Sequence, residues 1–530
     1  MTIYKFFNKY DLSKNRYFNF AKRFKQNTTY YMSIYEALKY VNMHLFETPR
    51  FCSPAISDVS ITLVKDVPIL KLRRDIVCKT NLDISRGLII DLAGHSITFE
   101  DNAYINIIDN ELTHYKPNIC IYGVKPGSKI VSDSQYVIYN KSTDIRRQLI
   151  EDLEYTPTSN GIDISNHRKL NNANLDRLLL HSLCGKNYFD SESKRSWVVG
   201  SKVSSIGTVN PHQNQLYIIG GEINHQPNRL TVNDSDPDLV KSFDEPCYSI
   251  FVEDAYVTLK AVTINQHCGY QINSAVHCYN CHSVNIDDCK IHTLNFHAIL
   301  NQSCKVSSLH CFDCDFVTLT ANSVITQGFT HDTSGVVLLG GREHKLVGNK
   351  IKTIMTQYVN SGYGVHISGP YPNNASVGCP NSIFKDNDIE GCSGGIGINT
   401  PNKVCKYLSG RSVSWNTGHG GIYVSAASIL KATGGMFGVS NIHKYPGASG
   451  MSYFSSGCKV YLDNVKFINE DNHGTAIAFT IKQGNPDSAP CEVHCSNCVT
   501  NGTKIRVDAP HKLILGKRGI KLGDGTILGS

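Results

Sequence analysis

From residue 215 onward, apolar and polar positions alternate in short runs broken by tight bends. One class of segment comprises QLYIIGGEI (215–223), YVTLKAVTI (256–264), SVNIDDCKI (283–291), SLHCFDCDF (308–316), HKLVGNKI (344–351), NSIFKDNDI (381–389) and CKVYLDNVKF (458–467). Most of these are two strand pieces joined by a polar or glycine bend. A second class lies between them: SIFVED, AVHCYN, HAILNQ, GVVLLGG, GVHISG, GGIGINT, GGIYVS and TAIAFTI. Alternation with period two is the mark of strands with one buried face. Members of the first class recur about every 25 to 37 residues between 256 and 381. That spacing predicts one turn of a parallel β-helix with loops of variable length. Propeller blades would show four-stranded hairpin units and leucine-rich repeats would show LxxLxL, and neither pattern is present. Strands this short bury an apolar face only by stacking coil on coil.

The same texture begins near residue 83, in DISRGLIIDLAGHSITFED, and is interrupted by an insertion at about 132–210 whose DIRRQLIEDLEY stretch reads as helical. At the other end of the pattern, residues 33–46 predict a helix. Ser33 is its N-cap, Glu36 completes a capping box, and Ile34, Leu38, Val41 and Leu45 share a face. The expected division is a small basic, aromatic module at 1–50, a β-helix at 51–481, and a C-terminal segment at 482–530 that is a candidate for trimerisation. The module reads either as an attachment device or as a cap over the open end of the stack.

Composition narrows this further. A chain of 530 residues exceeds what one ordinary core sustains, and 41% hydrophobic with 18% charged residues argues against disorder. No apolar run reaches membrane-spanning length, and MTIYKFFNKYDLSKNRYF lacks the apolar core of a signal peptide. The 19 cysteines therefore read as buried thiols of a protein made in a reducing cytoplasm. Of the net charge of +7, residues 1–50 carry +6 and residues 503–530 carry +4, leaving 51–502 near −3. The basic excess sits at the ends, so the body is not expected to bind nucleic acid.

IIDLAGHSIT, the NSIFKDNDI-type repeats and the GGIGINT/GGIYVS strands resemble the pectate-lyase-like β-helix superfamily over about 83–481, and within it bacteriophage tailspike depolymerases. The resemblance implies an all-β chain folded as a right-handed single-stranded parallel β-helix with a small N-terminal module. It further implies a homotrimeric virion tail appendage, made in the host cytoplasm and joined to a tail or baseplate protein through residues 1–50. Its substrate would be a bacterial surface polysaccharide, capsule or lipopolysaccharide, and neither a cofactor nor a metal is implied.

Alternation also sorts side chains by face. Val276, Cys278, Val365, Ile367, Ile396, Ile398, Ile422 and Val424 are expected inside. An outward column of Glu253, Tyr279, Asn301, His366, Asn399 and Tyr423 is expected to meet a glycan. Hydrolysis needs paired carboxylates, for which Glu253, Asp254, Asp332 and Glu343 are the candidates, and the mildly acidic body favours this reaction. β-Elimination from a uronate instead needs a base and a cation; His366 with Tyr363, or His344 with Arg342, would serve. A glycan-binding adhesin with the same stack and no catalysis is the third reading. Asp287-Asp288 and Gly418-His419-Gly420 match two polygalacturonase signatures, but they stand 131 residues apart and the companion signatures are missing, so that family is rejected. His-Cys-x-x-Cys occurs at 277, 310 and 494. Zinc would need four converging ligands, and stacked buried thiols are the preferred account.

Overall fold

A computed structural model describes residues 29–43, 54–64, 67–108, 117–140, 157–158, 161–163, 187–190, 195–198, 215–227, 246–253, 255–269, 272–295, 305–328, 333–355, 362–369, 379–415, 419–440, 450–470, 477–483 and 488–529. The chain is a right-handed single-stranded parallel β-helix. It divides into two compact units, one holding Met1–Glu222 with Phe251–Leu259 and Tyr279–Val284, the other holding Ile223–Ile250, Lys260–Cys278 and Asn285–Ser530.

The first unit opens with antiparallel pairing: Thr29–Met32 runs against Val59–Val64, which runs against Val67–Leu72. Parallel coiling follows at once. Val67–Leu72, Leu88–Asp91, Ile119–Gly123 and Gln215–Gly220 pair in sequence. Ile76–Cys78, Ser96–Phe99 and Lys129–Ser132 form a second face, and Leu82–Ile84, Ile105–Ile107 and Tyr136–Asn140 form a third. The antiparallel start corrects the expectation of uniform parallel coils from 51. The predicted helix spans Ile34–Met43, and the Glu36 amide donates to Ser33 Oγ at 3.2 Å. Its buried face is Ile34, Ala37, Leu38 and Val41. Asn42 clamps it to the stack, donating from Nδ2 to Asp83 O at 2.8 Å and accepting from the Ser85 amide at 3.0 Å. The helix thus lies against the first coils of the stack, the placement that the capping reading calls for. Leu45 and the helix expected in DIRRQLIEDLEY lie outside the described residues.

The second unit repeats the same three faces over about eight coils. Its first sheet runs Phe316–Thr320, Glu343–Val347, Asn381–Lys385, Val404–Tyr407, Ile429–Thr433, Lys459–Asp463, Glu492–Ser496 and Lys512–Leu515. Its third sheet runs Lys305–Phe312, Thr333–Leu339, Tyr363–Ser368, Gly394–Asn399, Gly420–Ser425, Ser452–Ser455, Ile477–Lys482 and Lys504–Val507. Parallel pairing therefore continues past 481, and the stack closes with a short antiparallel pair, Ile520–Lys521 on Ile527–Leu528. The boundary drawn at 481 is accordingly too early, because the later strands are short and half polar.

The bend from first to second sheet has one recurring construction. A residue with positive φ is followed by a buried one: Asp288 then Cys289, Ala321 then Asn322, Gly348 then Asn349, Asp386 then Asn387. The asparagines stack into a ladder. Asn322 Nδ2 donates to Asn349 Oδ1 at 2.9 Å, and Asn349 Nδ2 donates to Asn387 Oδ1 at 2.9 Å. Each amide also donates to a carbonyl of the coil before it, Ile286 O, Leu319 O and Leu346 O. Backbone groups exposed by the bend are thereby satisfied inside the core. Gly410 ends the run, since a Cβ there would lie 2.4 Å from Asn387 O.

A positive-φ bend also explains His-Cys-x-x-Cys, at the turn from third to first sheet in the first two motifs and from first to second sheet in the last. Asn280, Asp313 and Asn497 all have positive φ. In each motif the first cysteine faces inward before the bend and the second faces inward after it, and all six are buried. Cys314 Sγ donates to Phe312 O and Cys278 O, both at 3.5 Å.

Candidate functional site

Inward positions of the third sheet are filled as alternation requires: Val365, Ile367, Ile396, Ile398, Ile422 and Val424 are each 0% exposed. Their neighbours face outward. The register sets His310, Val337, His366, Gly397, Tyr423 and Tyr453 in one row. Asn399 aligns with Ser368 and Ser425 instead. Of the expected column, His366 and Tyr423 share this row and Asn399 stands in another, because alternation alone does not fix how successive coils are offset.

Tyr363 begins its strand and carries its ring across the next one. Its ring is stacked 5.2 Å from His366 and 5.7 Å from His419. Its hydroxyl is hydrogen-bonded to His419 Nδ1 at 2.9 Å, with the tautomer of His419 deciding which of the two donates. This path exists because the strand beneath is bare. A Cβ on Gly394 would sit 2.6 Å from Tyr363 Cε1, and one on Gly397 would sit 2.8 Å from it. From the other side, the Tyr423 ring stacks on His419 at 4.4 Å and on Tyr453 at 5.4 Å. His419 is fixed by its own backbone, whose amide donates to Ser393 O at 2.7 Å. Gly420 follows with positive φ, where a Cβ would lie 2.4 Å from Met451 C. Thr353 Oγ1 donates to Tyr363 O at 3.1 Å, and Trp415 Nε1 donates to Thr353 O at 3.0 Å, tying the second sheet to this strand.

Burial sets the protonation of the pair. It pushes the His419 imidazole down to about 4 and the Tyr363 phenol well above its ordinary range. At neutral pH the pair is a neutral phenol hydrogen-bonded to a neutral imidazole. Such a pair can hold and move a proton, while the rings beside it offer flat apolar faces with polar edges.

The other expected residues fall elsewhere. Glu343 heads a strand of the first sheet, opposite Phe316 and Asn381, so its carboxylate is on a different face from His366. Arg342 is held by Asp315 at 2.9 Å. His344 points inward, with Nε2 2.9 Å from Gly340 O, and burial pushes it down to about 4. The Arg342–His344 arrangement for elimination is therefore corrected, since a strand's alternation turns His344 into the core. Glu253 is 3% exposed, which closes its carboxylate off from a polymer on the strand face. Tyr279 ends the strand Ile272–Tyr279 and is half-buried. Two residues before it on the same strand, His277 is covered by the Tyr248 ring at 4.3 Å and the His310 ring at 4.7 Å. Asp254, Asp332 and Asn301 lie outside the described residues. Asp287 belongs to the first sheet, bonded to Lys260 at 2.6 Å, whereas His419 is on the third, which agrees with the rejection of the polygalacturonase signature. His419 is missing from the expected site because that signature is rejected, yet its flanking glycines are a sign of a position fixed by close backbone approach.

No family model and no curated protein matches the chain. Among solved structures it is similar to a periplasmic alginate epimerase, AlgG, at 10% identity and TM-score 0.25. It is also similar to a double mutant and a single mutant of that protein, at 12% and 11% identity and TM-score 0.26. Each likeness covers 86% of this chain and 78% of the other. At these TM-scores the likeness carries no argument about this chain, whose fold rests on its own strand pairing.

Proposed function

We propose that the protein is a polysaccharide-modifying enzyme that lays a glycan along the outward face of the third sheet and cleaves it by β-elimination at a uronate. The observation that carries this reading is the Tyr363–His419 hydrogen bond beside His366, on a face lined with stacked aromatic rings. In the proposed step His366 takes the proton from the carbon bearing the carboxylate. That electron pair becomes the new C=C bond, the glycosidic C–O bond β to the carboxylate breaks, and the Tyr363 hydroxyl protonates the departing oxygen. Arg506 lies five strands from His366 along the same row, roughly 24 Å at the usual strand spacing, and is bonded to Asp508 at 3.0 Å, so it can meet a distant unit of the glycan and not the reacting carboxylate. Elimination is preferred over the hydrolysis favoured by charge alone, because Glu343 stands on another sheet and Glu253 is closed off. Bacterial surface polysaccharide, met by a homotrimeric virion tailspike, remains the setting we put forward on the sequence resemblance.

Purified protein should be incubated with uronate-containing bacterial capsules and lipopolysaccharides, following the ultraviolet absorbance of unsaturated uronate ends. Elimination predicts that absorbance, and predicts that Tyr363→Phe lowers the rate by roughly 100-fold or more. New reducing ends without unsaturation would replace elimination with hydrolysis. Binding that leaves the polymer intact would make the protein an adhesin.

A further inference from the structure

The first unit carries a second aromatic surface, on the outward side of its own third face. The register sets Asp83, Asn106 and Tyr139 in one row. Tyr139 stacks on Phe251 at 5.3 Å with the rings 25° apart, and lies 4.5 Å from Tyr136 and 5.8 Å from Tyr104. Ile138 and Ile105, which alternate with Tyr139 and Asn106, are buried in the core, so the rings are not there to fill it. All four residues are partly exposed. At their edge Asn106 Nδ2 donates to Asp83 Oδ1 at 2.7 Å. Flat rings beside an amide and a carboxylate form a surface for a pyranose face, with hydroxyls bonding the polar pair. The carboxylate decides which sugar. Asp83 repels a uronate and accepts hydrogen bonds from the hydroxyls of an uncharged unit.

We infer that Tyr104, Tyr136, Tyr139 and Phe251, with Asn106 and Asp83, form a non-catalytic platform for neutral sugar units. This rests on the reading that glycan lies on the outward faces, and it deepens it: the substrate becomes a heteropolysaccharide holding neutral sugars as well as uronates. Affinity electrophoresis of the full chain through gels containing dextran, galactomannan or mixed-linkage β-glucan tests it, with polygalacturonate as the acidic comparison. At least one neutral polymer should retard the protein. Tyr139→Ala should weaken that retardation at least 5-fold while Tyr139→Phe stays within 2-fold. Phe251→Ala, run in parallel, keeps the test decisive where Tyr139→Ala fails to fold. Migration unaffected by all three neutral polymers, or retardation that survives both alanine variants, overturns the platform. The unsaturated-product assay separates the two claims. Retardation dependent on Tyr139 with no product sinks the reaction and leaves the platform standing, and product without such retardation does the reverse.

Discussion

Tyr363 reaches His419 by lying over Gly394 and Gly397, and the 2.9 Å hydrogen bond between them depends on that bare strand. The cluster is therefore built as much by missing side chains as by present ones.

Gly397→Ala places a methyl 2.8 Å from Tyr363 Cε1 and should swing the ring off His419. An ångström of misplacement at a reacting group costs roughly 100-fold, so turnover should fall by about that much while urea stability changes by less than ~1 kcal/mol. Gly395→Ala is the contrast. Its Cβ would meet Ser412 Oγ at 2.2 Å and Gly421 O at 2.6 Å inside the stack, and should cost about 1–3 kcal/mol of stability. Equal activity in Gly397→Ala and the wild type would remove the Tyr363–His419 contact from the mechanism.

His344 and His419 are both held near 4 by burial, against an ordinary 6.5. The folded chain then binds fewer protons than the unfolded one between those values. Their contribution to stability is complete above about pH 6.5, is lost as pH falls toward about 4, and levels off below. Each is worth at most ~3 kcal/mol. Urea midpoints at pH 7 and pH 4.5 should differ accordingly, and the difference should shrink in His344→Asn. A gap as wide in that variant as in the parent would contradict the assignment.

The asparagine ladder predicts a sharp local penalty. Asn349→Ala leaves Asn322, Leu319 O and Asn387 Oδ1 without the partners seen at 2.9 Å, at a cost of about 2–4 kcal/mol. Hydrogen exchange should show protection lost first in Phe316–Thr320, Glu343–Val347 and Asn381–Lys385. Uniform loss along the stack, or none, would refute the ladder's role.

Sixteen of the 19 cysteines are described, all of them buried and none in a disulfide. At most three should react rapidly with a thiol reagent in the native protein, and all 19 in denaturant. A larger fast-reacting count would mean that the interior opens readily.

Much of the scaffold is legible in the sequence because strand alternation is a local rule. Val365, Ile396 and Ile422 face inward as their own hexapeptides require, and Ser33 caps the helix it is expected to cap. What stays hidden depends on the offset between coils. Nothing in GGIGINT says that Gly397, and not Asn399, follows His366 in the row. That Glu343 opens on a different sheet from His366 is implicit in the two strand classes, HKLVGNKI in the first and GVHISG in the second, but the classes do not say which outward face carries the ring cluster. His419 is obscured for another reason. It precedes its strand, outside the alternating pattern, and only the folded path of Tyr363 makes it a partner.

The clamp of Asn42 on Asp83 and Ser85 bears on how such a coiled stack stays finite. Each coil offers the next a complete template, so the geometry by itself sets no length. Laying Ile34, Ala37, Leu38 and Val41 across one end converts a surface that would otherwise invite another layer, from this chain or a stranger's, into a terminus. The helix limits growth, and resistance to end-to-end aggregation follows from ten residues at its tip.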